Sequence, residues 1–176
     1  IHHGKNIDEK IYEKYVNQRI NFFENFETNK WKEDKVQKKI IDPIFLIGFP
    51  RSGTTLLDTI LRTNDDVEVI EEKPILKNFL IKLEKKTNNK LSELDHLEND
   101  FIDEMQSFYF NERNQYQKNK KAKVVIDKLP LNIVHVGEIL RFFPNAKFIF
   151  ALRHPYDSVL SCFMQQFELN PAMLIG

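Results

Sequence analysis

Four tracts of this 176-residue chain hold the residue types that transfer of an anionic group needs. Arg51 lies in Gly48-Phe49-Pro50-Arg51-Ser52-Gly53, and Glu71 and Glu72 close the run Val67-Glu68-Val69-Ile70. Asp127 and Lys128 follow Val124-Val125-Ile126, and Arg153 follows the apolar run that ends at Leu152. Around Arg51, Ile44 to Ile47 reads as a buried strand, the glycine-bounded segment as a loop, and Thr54 onward as a helix start. The first amides of a helix have no intrahelical partner and sit at the positive end of its dipole, so they favour an anion. Gly53 lets the backbone approach closely, while Ser52, Thr54 and Thr55 add hydroxyl donors. The planar Arg51 guanidinium suits two oxygens of a phosphate or sulfate.

The G-x-x-x-x-G spacing is that of a nucleotide-triphosphatase loop, yet Thr54 and Thr55 stand where that motif has Lys and then Ser or Thr. Asp127 could be the magnesium-holding aspartate of phosphoryl transfer, which keeps a kinase as a rival. Lys128 beside it, however, puts a cation where the metal belongs. A sulfuryl group carries one negative charge against about two on a terminal phosphoryl group, so protein cations can serve its transfer without a metal. Arg51, Lys128, Arg153 and the carboxylate pair fit that demand. Glu71 and Glu72 are adjacent and are expected to point in different directions, so that one alone reaches an acceptor hydroxyl. His96, His135 and His154 are alternative bases.

The elements that must position these residues are legible in the periodicity. Ile11, Tyr15, Val16, Ile20, Phe22, Phe23 and Phe26 recur at helical spacing between Asp8 and Trp31, as one amphipathic helix or two short ones, followed by a solvated lysine-rich stretch at 32–39. Further helices are expected at 54–62, from Pro74 until Thr87-Asn88-Asn89-Lys90, at 98–117, at 132–142 and at 156–167. The helix after Pro74 would bury Leu76, Phe79, Leu80 and Leu83, and the next one Phe101, Met105, Phe108 and Tyr109. Strands fall at 44–47, 67–70, 124–126 and 147–152. This alternation argues for an α/β fold, a mainly parallel sheet flanked by helices on both faces, with ligands collecting beyond the carboxyl ends of the strands. All four charged tracts would then share one rim.

With 41% hydrophobic residues the chain can build one domain with its own core. Its 26 basic and 26 acidic residues cancel, so no nucleic-acid or membrane partner is indicated. The basic run Lys118 to Lys123 lacks the interleaved aromatics of a nucleic-acid platform. No apolar stretch approaches the roughly 20 residues of a membrane span, and the polar N-terminus lacks a secretory core. The single Cys162 excludes an intramolecular disulfide and fits a cytoplasmic setting. His2-His3 reads as a tail rather than a metal site. The chain starts at Ile1 and stops at Gly176, and is expected to be an excerpt of something longer.

Phe49-Pro50-Arg51-Ser52-Gly53-Thr54-Thr55-Leu56 resembles the 5′-phosphosulfate loop of sulfotransferases that use 3′-phosphoadenosine 5′-phosphosulfate (PAPS). Phe150 to Ser161 resembles their 3′-phosphate segment. Asp127-Lys128-Leu129-Pro130-Leu131-Asn132, with His135-Val136-Gly137, is similar to the bacterial tetratricopeptide-associated branch related to tyrosylprotein sulfotransferases. The resemblance implies a P-loop-like nucleotide-binding sulfotransferase fold over residues 42–176, C-terminally incomplete against the family, with residues 1–41 as an N-terminal helical extension. It implies that Arg51, Ser52, Gly53, Thr54 and Thr55 hold the 5′-phosphosulfate and that Arg153 and Ser161 hold the 3′-phosphate. Glu72 would be the catalytic base, and Lys128 would contact the transferring group or the leaving phosphate. PAPS is then the cosubstrate, no metal is required, and the acceptor is a hydroxyl or amine on a peptide tyrosine, a saccharide or a small alcohol. A kinase using ATP and magnesium, and a truncated non-catalytic nucleotide-binding module, stay open as alternatives. The sequence leaves the oligomeric state open.

Overall fold

A computed structural model describes residues 9–24, 26–27, 31 and 42–164. The expected lysine-rich stretch at 32–39, the His2-His3 tail and the helix end past residue 164 lie outside the described residues. In chain order the elements are α1 (Glu9–Phe23), β1 (Ile44–Gly48), α2 (Thr54–Leu61), β2 (Val67–Glu71) and α3 (Ile75–Thr87). A 3₁₀ turn (Leu91–His96), α4 (Asn99–Tyr116) and β3 (Val124–Lys128) follow. A second 3₁₀ turn (Pro130–His135) leads into α5 (Val136–Phe142), β4 (Lys147–Ala151) and α6 (Pro155–Phe163).

The four strands make one parallel sheet in the order β2-β3-β1-β4. The chain leaves β1 toward β2 on one side and later crosses back to β4 on the other. The carboxyl ends of β1 and β3 therefore flank the point where a crevice opens in such sheets. Side chains alternate across the sheet. Phe45, Ile47 and Ile70 face the layer made by α3, α4 and α5, where Phe79, Met105, Tyr109 and Phe142 are fully buried. Phe79 meets Phe142 edge to face at 4.9 Å between ring centroids, the arrangement that aligns a ring's positive edge with its partner's negative face. Leu46, Val69 and Ile126 face the other side, against Leu57 and Leu61 of α2.

α1 leans on the connection between β3 and β4. Arg19 Nε donates to Glu138 Oε1 at 2.7 Å in a buried ion pair, and an added Cβ on Gly137 would stand 2.3 Å from the Phe23 ring. The helical periodicity begins as α1 and its inner stripe runs through Tyr15, Arg19 and Phe23, which leaves Ile11 and Ile20 exposed. In α4 the buried positions are Ile102, Met105, Gln106 and Tyr109. Phe101 and Phe108 sit instead at the shoulder, where Lys86 and Lys82 of α3 lie over their rings. The stretch from Asn132 expected as one helix divides into the 3₁₀ turn from Pro130 and α5 from Val136.

Candidate functional site

The loop after β1 is held tightly. Ser52 N donates to Phe49 O at 3.1 Å, Arg51 adopts a left-handed φ of 67°, and Gly53 at φ 98° begins α2. A non-glycine residue in the left-handed region costs on the order of 1 kcal/mol or more, so the surrounding contacts must hold Arg51 there. One such contact is Arg153 Nη1, which donates to the Arg51 carbonyl at 3.1 Å. No side chain caps α2, and its first ladder bond runs from Leu57 N to Gly53 O, so the amides of Thr54, Thr55 and Leu56 precede the ladder. The Ser52 hydroxyl is buried without a hydrogen-bond partner. At Gly48 a Cβ would stand 2.7 Å from Ser52 Oγ and 2.8 Å from the Ala151 carbonyl, so this strand end closes on the loop and on β4 only as glycine. An unpartnered hydroxyl, unladdered amides and a nearby guanidinium suit a tetrahedral anion.

Ser161 of α6 accepts from Arg51 Nε at 3.1 Å. Arg51, Arg153 and Ser161, drawn from three separate segments, are thus brought into one exposed group at the β1–β4 end of the rim.

The β2–β3 end is more enclosed. Glu71 and Lys128 are paired residues of neighbouring parallel strands, so their side chains leave the sheet on the same face as α2. Lys128 is 0% exposed, and its Nζ donates to Glu71 Oε1 and to Glu72 Oε1, both at 2.9 Å. The expectation that Glu71 and Glu72 diverge is corrected here. Glu72 leaves the strand at a left-handed φ of 50°, with its N–H donating to the Lys128 carbonyl at 2.7 Å, and this turn brings its carboxylate back beside that of Glu71. The Lys128 hydrogen bond holds the Glu71 carboxyl below the usual range against the opposing effect of burial, helped by the charges of Lys128, Arg62 and Lys73. Burial works against the Lys128 charge, but the hydrogen bonds to Glu72 and Glu71 raise its pKa regardless.

Two participants escape a reading of the motifs. Arg62, the C-cap of α2, grips the buried Asp58 carboxylate with both Nε and Nη2, the latter at 3.1 Å. Its Nη2 also reaches Glu71 Oε2 at 3.7 Å. The Asp58/Arg62 spacing of four at the end of the helix preceding Glu71 was the available signal.

Lys128 alone brings its tract to the rim; Asp127, read there beside it, is corrected to the other side of the sheet. Strand alternation sends it to the opposite face, where the Tyr109 hydroxyl donates to Asp127 Oδ2 at 3.1 Å. Burial pushes the Asp127 carboxyl up to about 7, with the Tyr109 hydrogen bond and the Arg113 charge pulling back. Of the alternative bases, His135 packs edge to face on Tyr15 and lies 3.3 Å from Glu138 Oε1, within the docking surface of α1. His154 is an exposed residue at the start of α6, and His96 ends a 3₁₀ turn. Among the described residues no cluster of three His, Cys, Asp or Glu could hold a metal ion, and no helix is long and apolar enough to cross a membrane.

A cradle of amides before α2, an arginine inside it and charged strand ends around it define an α/β domain with a candidate anion site at the carboxyl ends of its strands. The chain belongs to the sulfotransferase family, whose model matches residues 43–174. It is 34% identical over 131 residues to an uncharacterized protein of Aquifex aeolicus (strain VF5), a match that covers 71% of this chain and 17% of that protein. The crystal structure of sulfotransferase STF9 from Mycobacterium avium aligns with 84% of this chain and 50% of its own, at 16% identity and a TM-score of 0.39. The chain therefore spans about a sixth of the one relative and half of the other.

Proposed function

We propose that this chain moves a sulfuryl group from PAPS to a hydroxyl or amine acceptor by in-line displacement. The observation that carries the reading is the buried Lys128 ammonium at the carboxyl end of β3, shared by Glu71 and Glu72 beside a loop whose Ser52 hydroxyl lacks a partner. The donor, when bound, would supply the activated sulfur. Ser52, the amides of Thr54 and Thr55, and Arg51 would hold its 5′-phosphosulfate, Gly53 would let it approach, and Arg153 and Ser161 would hold the 3′-phosphate. Glu72 would take the acceptor proton as the acceptor atom bonds to sulfur. The electron pair of the breaking sulfur–oxygen bond would pass to the bridging oxygen, which leaves with the phosphate, and Arg51 and Lys128 would neutralise that oxygen. No step in this scheme requires a divalent metal.

Calorimetric titration with 3′-phosphoadenosine 5′-phosphate, with and without chelator, tests the reading against ATP plus magnesium. The expected result is chelator-insensitive binding of the bisphosphate. It should weaken roughly 10- to 100-fold in Arg51→Ala, the loss of one charge-assisted hydrogen bond or pair. Tight ATP binding that chelator abolishes would establish a kinase instead. Bisphosphate binding without turnover on any hydroxyl or amine acceptor would leave a non-catalytic nucleotide module.

A further inference from the structure

Sulfuryl transfer as proposed above uses Lys128 and Glu72 and leaves Glu71, Arg62 and Asp58 unexplained; a role for those three in the reaction rests on that reading. Asp58 is buried on the inner side of α2, and Arg62 one turn later closes on it through two nitrogens. The same guanidinium reaches Glu71, whose other oxygen accepts from Lys128. The charges alternate along this line: carboxylate, guanidinium, carboxylate, ammonium, and finally the Glu72 carboxylate. Every link but the last joins residues whose backbones are fixed in α2, β2 or β3, or at the cap of α2. Glu72 alone sits one residue past the end of β2, on a left-handed residue held by a single backbone bond to the Lys128 carbonyl.

We propose that Asp58, Arg62 and Glu71 are positioning residues that fix Lys128 from behind, so that the Lys128–Glu72 contact is the one that yields when substrates enter. If Lys128 is recruited by the oxygen that leaves from sulfur, Glu71 keeps a cationic partner in Arg62. Glu72 keeps none and is free to accept a proton. Without this line of charges the ammonium would have Glu72 as its one close anion and would neutralise the base it serves. Lys128 faces Glu71 and Glu72; Glu71 also faces Lys73 beyond β2 and Arg62 at the cap of α2, and Arg62 in turn faces Asp58 and Glu68.

Following Lys128 by ¹³Cε and ¹⁵Nζ NMR through a pH titration of the nucleotide-free chain tests this without any turnover. Glu71→Gln should lower the Lys128 midpoint by about one pH unit, since one of two anionic partners is lost. Arg62→Met removes a cation that shares Glu71 with Lys128, so it should raise the midpoint by a smaller amount, and Arg62→Lys should return it close to the parent value. With donor and acceptor present, both neutral variants should lose roughly 10-fold in kcat while the acceptor KM stays within about threefold, as expected for disturbed alignment rather than binding. A Lys128 midpoint unmoved in both Glu71→Gln and Arg62→Met overturns the proposal. Failure of the sulfuryl-transfer reading would appear separately, as absent bisphosphate binding by the unaltered chain.

Discussion

At the β2–β3 end of the rim a lysine out of contact with solvent is held by two carboxylates. At the β1–β4 end two arginines and a serine hold one another by exposed hydrogen bonds. The surroundings differ in the same sense. Behind β2 and β3 lie the packed rings of Phe79, Tyr109 and Phe142, whereas around β4 and α6 Leu152 is 81%, Tyr156 80% and Phe163 83% exposed. The comparison separates two ways of placing charge. Strand register and a dense core fix Lys128 and Glu71. At the other end the strained Arg51 turn and side-chain contacts to it do the placing, so ligand there has more ordering to complete.

The contrast is most severely tested through packing. Phe79→Ala should cost about 3–5 kcal/mol in urea unfolding, as for a large buried aromatic, and Phe163→Ala should stay within about 0.5 kcal/mol. Similar costs for the two would erase the distinction between the ends.

Asp127, under the better-packed end, predicts a pH dependence. Its carboxyl titrates near 7 in the folded chain, against about 3.9 when unfolded, so between these values the folded state binds more protons. Its contribution to stability is therefore fully present below about pH 4 and falls as pH rises toward 7, by at most about 1.4 kcal/mol per pH unit. Asp127→Asn should remove that slope when urea midpoints at pH 5 and pH 7.5 are compared. A variant as pH-dependent as the parent would place the effect elsewhere.

The smallest effects belong to the open end. Arg153→Ala should erase most of the preference for 3′-phosphoadenosine 5′-phosphate over adenosine 5′-phosphate, a change of about 1.5–3 kcal/mol, and Ser161→Ala should lose about 0.5–1.5 kcal/mol of it. If both ligands weaken equally, these residues support the loop through the Arg51 contacts rather than read the 3′-phosphate.

The four strands were legible because each is a short apolar run closed by a charge or glycine, and the cradle because its spacing is local. Less was legible wherever two distant segments decide. Arg19 looks like a surface residue of an amphipathic helix until Glu138 is placed against it. Leu91 and Leu94 at a spacing of three gave no sign of a separate 3₁₀ turn, because a helix uses the same interval. At the site, the adjacency of Glu71 and Glu72 argued for divergence, which holds along an extended strand and fails at one left-handed residue. Asp127 beside Lys128 invited a shared role, and strand alternation parted them. Arg62 carried no motif at all, and only the fold brings it to Glu71.

The docking of α1 also bears on the order in which the chain can fold. Arg19 and Glu138 are separated by 119 positions, and the face that receives Phe23 does not exist until the segment between β3 and β4 has been made and folded. Closing so long a loop carries an entropic cost that rises with the logarithm of its length, and contacts of large sequence separation form slowly. α1 should therefore join last during refolding, onto a sheet already assembled. A burial probe at Tyr15 should accordingly lag behind one at Tyr109.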